Sequence, residues 1–318
     1  MFAHAQAPVR IGIAGGGTDL PAWTKARKGL CLSLAIATYT HAVVITRPDG
    51  KVVASYKHLD EAASVTEIAN GLIRESALMH SFVDGFEVHT LSEVTSHGSG
   101  LGVSSSIAVC LAAAFARLRE LFDRRKPDTL ALRAYCSQAA WKVEIDHLLR
   151  PIGRQDHMAA AYGGLRLYAF EGAATRIERT FGVEDANWVA EHLVLFALPE
   201  GHDARAILTG VTKPTQLEAA FAAVPVAVEA IEKRDPQALG TALQMGQDSK
   251  RLIPGAVTQR IAGLVYEAEA HQGVYGCKVA GAGGGGHLVV ACEPEAILDL
   301  EVALEMRAVR VKPDMGGL

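Results

Sequence analysis

The residues best suited to chemistry lie in the glycine- and serine-rich stretch GSGLGVSSS, from Gly98 to Ser106. Its three glycines, at 98, 100 and 102, let the backbone approach a ligand closely and adopt angles that other residues avoid. The Ala- and Leu-rich residues 104–121 have a helical pattern, and the N-terminus of a helix attracts anions. The stretch therefore predicts a phosphate-binding loop. A turn with a serine cap is the alternative, and the missing Gly-Lys-Ser/Thr ending excludes a Walker A loop.

Two carboxylates, Glu144 and Asp156, are the best candidates to join that loop. They lie on either side of a break at residues 151–153 in the segment WKVEIDHLLRPIGRQDHMAAAYGGL. Carboxylates at the end of one helix and the start of the next can converge, and phosphoryl transfer needs a metal ligand and a group that handles the hydroxyl proton. Asp156 precedes an Ala-rich stretch, where an unpaired buried carboxylate would be costly. Three neighbours are interpreted as solvated surface charges: Asp146, His147 and Arg150.

Two further glycine runs stand in RIGIAGGGTDLPAW (10–23) and CKVAGAGGGGHLVV (277–290). The first is not a dinucleotide fingerprint, because Leu20 stands where the third glycine is required and Pro21 interrupts any helix. Asp19 is either a ligand-facing carboxylate or an Asx-turn residue. The second run predicts a close approach of backbone to a ligand or to another loop, with a flexible hairpin as the alternative.

Composition narrows the class of protein. The 318 residues carry a formal net charge of −4, so neither nucleic acid nor an anionic membrane is favoured as a partner. The five cysteines are scattered without a CxxC pair, which makes a zinc site or a disulfide framework improbable. Without a signal-peptide pattern, and with a longest uncharged apolar run of only residues 107–116, the sequence predicts a cytoplasmic location.

Strand and helix patterns are mixed without steady alternation, which predicts an α+β fold. The predicted strands are 9–14, 31–37, 41–46, 51–56, 86–91, 165–170, 192–197, 275–280 and 287–292. The predicted helices are 61–80, 104–121, 129–149 (with Asp128 as N-cap), 204–209, 216–233, 236–245 and 257–271. The polar stretch 171–187 has no clear period and predicts a boundary between domains 1–185 and 186–318.

The chain resembles the GHMP kinase superfamily, whose signature loop G-L-G-S-S-A is matched here by GLGVSS at 100–105. RIGIAGGGTDLP (10–21), GRQDHMAAAYGG (153–164) and KVAGAGGGGHL (278–288) resemble strings of the heptose-phosphate kinases of bacterial surface-sugar biosynthesis. The resemblance implies an N-terminal domain like that of ribosomal protein S5, a ferredoxin-like C-terminal domain and an active site between them. It further implies ATP- and Mg²⁺-dependent phosphorylation of a sugar hydroxyl, the anomeric one of a heptose 7-phosphate.

The resemblance also implies roles for particular residues. Asp156 would handle the proton of the substrate hydroxyl, Glu144 and Ser104 would ligate Mg²⁺, and Arg10 would lie near the transferred phosphate. The predicted ATP contacts are Gly98, Ser99, Gly100, Leu101, Gly102, Val103, Ser104 and Ser105. The predicted sugar contacts are Gly17, Thr18, Asp19, Gly283 and Gly284, and candidate partners for a substrate phosphate are Lys25, Arg27 and Lys28.

Three departures from the family strings bear on specificity. Val103 replaces a loop serine, His287 replaces an aromatic residue, and Ser96 and His97 stand where relatives have prolines. The alternatives are a kinase of a fucose-like sugar or another hexose, a non-catalytic sugar or nucleotide sensor and, more remotely, an NAD-binding protein. The sequence leaves a homodimer open.

Overall fold

Two β-sheets, one from each half of the chain, form the framework of the computed structural model, which describes residues 1–94, 98–120, 130–199 and 204–318. In these residues the first sheet has seven strands: β1 (Phe2–Ala14), β2 (Gly29–Thr46), β3 (Val52–Ser55), β4 (Leu59–Ala62), β5 (Phe86–Ser92), β6 (Leu165–Glu171) and β7 (Ala174–Thr180). Their order is β4-β3-β5-β2-β6-β7, and β1 pairs with the other edge of β2. The separately predicted strands 31–37 and 41–46 are therefore parts of one long strand, β2.

Helices from the N-terminal half cover one face of this sheet. They are α2 (Gly71–Met79), α3 (Val103–Leu118), α4 (Leu130–Trp141) and α5 (Gln155–Tyr162), and α4 continues into a π-helix at Lys142–His147. The short α1 (Pro21–Thr24) instead packs through Trp23 against residues of the C-terminal half. Nearly every side chain of α3 is buried, and its alanines allow close packing against β1 and β2. This packing fixes the N-terminus of α3 above β1.

The second sheet contains β8 (Leu193–Ala197), β9 (Val274–Val279), β10 (His287–Cys292) and β11 (Ala308–Arg310) in the order β11-β8-β10-β9. Numbered within this sheet, the order is 4-1-3-2 with every pair antiparallel, which is the ferredoxin-like arrangement. The remaining helices are α6 (Val183–Glu191), α7 (Ala204–Leu208), α8 (Glu218–Lys233), α9 (Pro236–Arg251), α10 (Gln259–Glu269) and α11 (Ile297–Leu304).

Helices α8 and α9 join the two sheets. Both contact β1 of the first sheet, and α9 also contacts β9 and β10 of the second. One hydrophobic cluster runs through this layer and includes Ile11, Leu34, Val224, Leu243 and Val289. The α+β prediction and the two-part architecture that the resemblance implied are confirmed.

One predicted helix begins too early, and one stretch without a predicted element contains two. Residues 61–80 were expected to form one helix, but α2 begins only at Gly71, where Oδ1 of Asn70 accepts hydrogen bonds from the N–H groups of Leu72 and Ile73. The stretch 171–187, for which no strand or helix was predicted, contains β7 and the start of α6. β7 is an edge strand with mostly exposed side chains, so it lacks the alternation that identifies a strand.

Several predictions are not tested by the structure. The domain boundary after residue 185 would fall inside α6, and the predicted N-cap Asp128 lies outside the described residues, as do Ser96 and His97. The described helices include none that is long and apolar enough to span a membrane. The cytoplasmic location and the homodimer stay predictions.

Candidate active site

A cavity of about 1130 Å³ lies where the first sheet meets α9 and the turn before β10. Its wall is formed by the turn after β1, the glycine-rich loop before α3, the start of α5, the end of α9 and the turn at Gly281–Ala282. Segments that are far apart in the sequence therefore meet around one space.

The glycine-rich loop shapes one side of this cavity. Gly98, Gly100 and Gly102 have φ values of 65°, 73° and 79°, in the left-handed region that favours glycine. The first helical hydrogen bond of α3 runs from Ser106 N to Gly102 O. The N–H groups of residues 103–105 precede that bond and form the positive end of the helix, so the loop can bind phosphate oxygens.

The second glycine run packs against this loop, backbone to backbone. A Cβ at Gly281 would lie 2.7 Å from Gly100 Cα, and one at Gly286 would lie 2.5 Å from the carbonyl carbon of Ser99. His287 Nδ1 is 2.8 Å from Ser99 O. The run therefore approaches another loop, which was one of the two interpretations of its sequence.

Four predicted ligand contacts do not line the cavity. Gly283 and Gly284 lie against Ala256, and Gly284 N donates to Ala256 O at 2.6 Å. Thr18 is completely buried, with its hydroxyl 2.8 Å from the carbonyl oxygens of Gly15 and Leu30. The side chain of Leu101 is buried in the core. The other predicted contacts, including Gly17 and Asp19, line the wall.

Arg10 and Asp156 form a two-bond ion pair beside the loop. Arg10 Nε is 2.7 Å from Asp156 Oδ1, and Arg10 Nη2 is 2.6 Å from Oδ2. Arg10 lies on β1, Asp156 lies in the first turn of α5, and Arg10 Nη1 also donates to Gly100 O at 2.5 Å. A Cβ at Gly102 would lie 3.3 Å from Asp156 Oδ2, so the loop and the carboxylate are in direct contact.

Asp19 fixes the start of the helix that carries Asp156. Its two carboxylate oxygens accept hydrogen bonds from Gln155 N and Gln155 Nε2, both at 2.9 Å. Burial raises the pKa of Asp19 above its usual value. Asp19 therefore caps the N-terminus of α5 although it is distant from it in the sequence, and it also lines the cavity.

Glu144, which is itself completely buried, is the centre of a second cluster. Its Oε1 accepts from Ser104 Oγ at 2.7 Å, and its Oε2 accepts from Ser105 Oγ at 2.7 Å and from His157 Nε2 at 2.8 Å. Arg150 Nη1 bonds Oε1 as well. Glu144 lies on the π-helix that follows α4, and such wide turns occur frequently at functional sites.

This cluster keeps Glu144 ionised. Burial alone would raise the pKa of Glu144, but the His157 hydrogen bond and the charges of His157 and Arg150 lower it to about 2. The interpretation of Arg150 as a solvated charge is wrong, whereas Asp146 and His147 are exposed as expected. Sequence reasoning missed His157, although it stands next to Asp156 and the first turn of α5 carries it into the core.

Two lysines on the opposite wall were also missed. Lys278 Nζ donates to Ile13 O at 2.7 Å, and Lys250 Nζ donates to Gly281 O. Burial, together with the charge of Arg10, lowers the pKa of Lys250 to about 8. Of the two, only Lys278 could have been recognised from the sequence, because it is a charged residue within the buried strand β9.

The expected cations near the first glycine run do not reach the cavity. Arg27 pairs with Glu218 and Lys28 pairs with Glu178, both at the surface, and Lys25 is exposed. None of the three is part of the cavity wall as described. Their positions therefore give no support to these residues as partners of a substrate phosphate.

The far end of the cavity combines apolar side chains with Lys57 and Asn70. Tyr56, Leu72, Ile73 and Ile107 line it between β3, α2 and α3. A flat, weakly polar group fits such a surface, and a nucleotide base is one of this kind.

Comparisons with known proteins decide the family. Residues 63–164 match the model of the GHMP kinases N-terminal domain, and residues 227–304 match that of the GHMP kinases C-terminal domain, together more than half of the chain. The chain belongs to the GHMP kinase superfamily. It is accordingly a kinase whose phosphoryl acceptor is a hydroxyl group, and its relatives include sugar kinases.

Relatives of this GHMP kinase match it over nearly its whole length. It is 28% identical to the D-glycero-alpha-D-manno-heptose 7-phosphate kinase of Campylobacter jejuni, over 95% of this chain and 92% of the relative. Its fold is similar to that of a D-glycero-D-manno-heptose 1-phosphate kinase from Bacteroides thetaiotaomicron, with a TM-score of 0.77, 18% identity and coverage of 100% and 97%. Galactokinase from Lactococcus lactis gives a TM-score of 0.76 at 16% identity, covering 100% and 95%.

Proposed function

We propose that this GHMP kinase uses ATP and Mg²⁺ to phosphorylate the anomeric hydroxyl of a heptose 7-phosphate. The observation that carries the reaction type is the Arg10–Asp156 pair, held against the loop that ends at α3. The heptose assignment is supported by the 28% identity to a heptose 7-phosphate kinase over 95% of this chain.

The cavity accommodates ATP with its phosphates at the loop and its base at the far end. The N–H groups of residues 103–105 point from the start of α3 and bind phosphate oxygens. Because these donors belong to the backbone, Val103 supplies the same contact that a serine would supply there. Tyr56, Leu72 and Ile73 line that end and would hold the adenine ring.

Ser104 and Glu144 suit a Mg²⁺ ion that is shared with ATP. A hydroxyl and a carboxylate are oxygen ligands of the kind that Mg²⁺ prefers. Arg150 Nη1 lies 2.7 Å from Ser104 Oγ and also bonds Glu144 Oε1, so a positive charge already occupies the space between the two oxygens. The same space suits a metal cation, which when bound would neutralise charge on the phosphates.

Asp156 acts on the acceptor hydroxyl. Arg10 holds its carboxylate in one orientation at the loop, where it accepts a hydrogen bond from the hydroxyl and receives its proton. The hydroxyl oxygen bonds to the γ-phosphorus of ATP as the bond from that phosphorus to the leaving ADP breaks. An anomeric hydroxyl is more acidic than other sugar hydroxyls, so a carboxylate of modest basicity suffices. Arg10 also stabilises negative charge on the transferred group.

An ATP-consumption assay over a panel of sugars tests this assignment. We expect D-glycero-D-manno-heptose 7-phosphate to give a kcat/KM at least about 100-fold above those of free heptose, fucose and galactose, because a site built for a polar group rejects analogues that lack it. Turnover with unphosphorylated sugars alone would show that the heptose-phosphate assignment is wrong. No turnover with any sugar would favour a non-catalytic sensor.

A further inference from the structure

We propose that Lys250 and Lys278 form a second anion-binding subsite, which holds the phosphate group that the sugar substrate already carries. This inference rests on the proposed function and names the part of the cavity that would recognise a phosphorylated sugar. It assigns the substrate phosphate to residues of α9 and β9, which lie more than 220 residues from the cations after the first glycine run.

The two ammonium groups are incompletely satisfied by the protein. Each donates one described hydrogen bond, to a backbone carbonyl oxygen, although an ammonium has three donors. In the described part of the chain, no ion pair joins either lysine to a carboxylate. The nearby carboxylate of Asp156 is occupied by Arg10. Donors and positive charge are therefore left for a ligand.

The electrostatics of this wall favour an anion. Burial lowers the pKa of Lys278 well below its usual value, and the charges of Lys250 and Arg10 lower it further. A buried charge without a partner is costly, and like charges placed together add to that cost. A dianionic phosphate in the cavity would offset both effects.

The backbone around the lysines leaves room for such a group. A Cβ at Gly246 would lie 3.3 Å from Lys278 Cδ, so glycine at this position makes space for the lysine side chain. Gly16 is exposed in the cavity wall, and a Cβ there would have nothing within 4 Å. The turn after β1 is thus open toward the space next to the lysines.

Lys278 extends the proposed subsite away from the ATP phosphate loop, whereas Lys250 lies beside that loop, because its Nζ donates to Gly281 O and Gly281 packs against Gly100. Lys278 Nζ bonds the carbonyl of Ile13, three residues beyond Arg10 on β1. At about 3.3 Å per residue in a strand, this contact lies about 10 Å from Arg10, in the direction of the turn at Gly15–Gly17. The loop before α3 lies at Arg10 itself. A sugar bound between Asp156 and this turn could reach both ends with its reacting hydroxyl and its phosphate.

Lysine-to-methionine variants test the subsite, since methionine keeps most of the side-chain volume and removes the charge. In Lys250→Met and Lys278→Met we expect the KM for heptose 7-phosphate to rise about tenfold or more, as for loss of a hydrogen bond to a charged group. The KM for ATP and the kcat/KM for free heptose should stay within about twofold of wild type. Lys233→Met, at an exposed pair with Glu229, is the matched control and should leave all these constants unchanged.

The alternative source of the anion is the phosphate transferred from ATP, and the same assays separate the two. A lysine that binds the transferred phosphate would lower kcat for free heptose and heptose 7-phosphate alike, which would overturn the proposal. Unchanged constants for heptose 7-phosphate in both variants would also overturn it.

Calorimetry with heptose 7-phosphate, in the absence of ATP, gives a readout that does not depend on turnover. Wild-type protein that binds the sugar phosphate, with binding weakened in both methionine variants, supports the subsite. Equal binding by wild type and variants would refute the subsite and leave the proposed function intact. Wild-type protein that binds free heptose but not its 7-phosphate would overturn the proposed function together with the subsite.

Discussion

The two charged clusters in the cavity wall differ in how their charges are balanced. Glu144 accepts hydrogen bonds from two serines, a histidine and an arginine, so both of its oxygens are satisfied within the protein. On the opposite wall, Lys250 and Lys278 bond only carbonyl oxygens in the described structure and repel each other. The first cluster is satisfied by protein donors even before Mg²⁺ binds, whereas the second is completed only by an anion.

From this difference we expect the residues of the first cluster to stabilise the fold and those of the second to destabilise it. A buried carboxylate inside a satisfied network holds α3, the π-helix and α5 together. Buried ammonium groups without carboxylates cost stability in the free protein and recover it when an anion binds. Substitutions in the two clusters should therefore change stability in opposite directions.

The largest effect is expected for Glu144→Gln. The substitution leaves Arg150 and His157 without their anion, so the free energy of unfolding should fall by about 3–5 kcal/mol, as for other broken buried ion pairs. Urea unfolding followed by circular dichroism measures this loss. The control is Glu178→Gln, which breaks the surface pair with Lys28 and should change the free energy by less than about 1 kcal/mol. Equal effects of the two substitutions would show that the buried network does not stabilise the protein.

A smaller change in the free energy of unfolding is expected from Lys250 at alkaline pH. The pKa of Lys250 is lowered to about 8 from 10.5, so between these values the unfolded chain keeps a proton that the folded protein has released. Stability should therefore rise with pH in this window through Lys250, and part of the rise should be absent in Lys250→Met. The charged groups that line the cavity with Lys250 include Arg10, Lys278, Arg205, Asp19 and Asp156.

Urea unfolding at pH 8 and pH 10 makes the comparison between wild type and Lys250→Met. Groups remote from this wall titrate alike in both proteins, so the difference between the two slopes reports Lys250 together with Lys278, whose pKa depends on the charge of Lys250. Equal slopes of the free energy of unfolding against pH in the two proteins would show that burial does not lower the pKa of Lys250.

The sequence predicted the features that follow local rules. The glycine-rich loop and the helix after it were recognised from spacing, because positive φ values and helix N-termini have clear residue preferences. The α+β class followed from the mixed pattern of strands and helices, and the two-part architecture followed from the resemblance. The edge strand β7 escaped detection because its exposed faces carry no hydrophobic period.

Features that depend on distant contacts could not be predicted from the sequence. Arg150 was interpreted as a surface charge because its contact with Glu144 depends on a π-helix. No residue pattern predicts a π-helix at this position. Lys250 and Lys278 belong to different elements, and their proximity depends on how α9 packs against β9. The capping of α5 by Asp19 likewise joins segments 136 residues apart.

The proposed reaction is tested most directly by identifying its product and by replacing Asp156. We expect ³¹P NMR of a reaction with ATP and heptose 7-phosphate to show a new phosphate on the anomeric carbon beside the retained 7-phosphate. Asp156→Asn should lower kcat by about 10²–10⁴-fold, as for loss of a general base, while the exposed Asp146→Asn stays within about twofold of wild type. A phosphate on another carbon, or an Asp156→Asn variant as fast as wild type, would contradict the account.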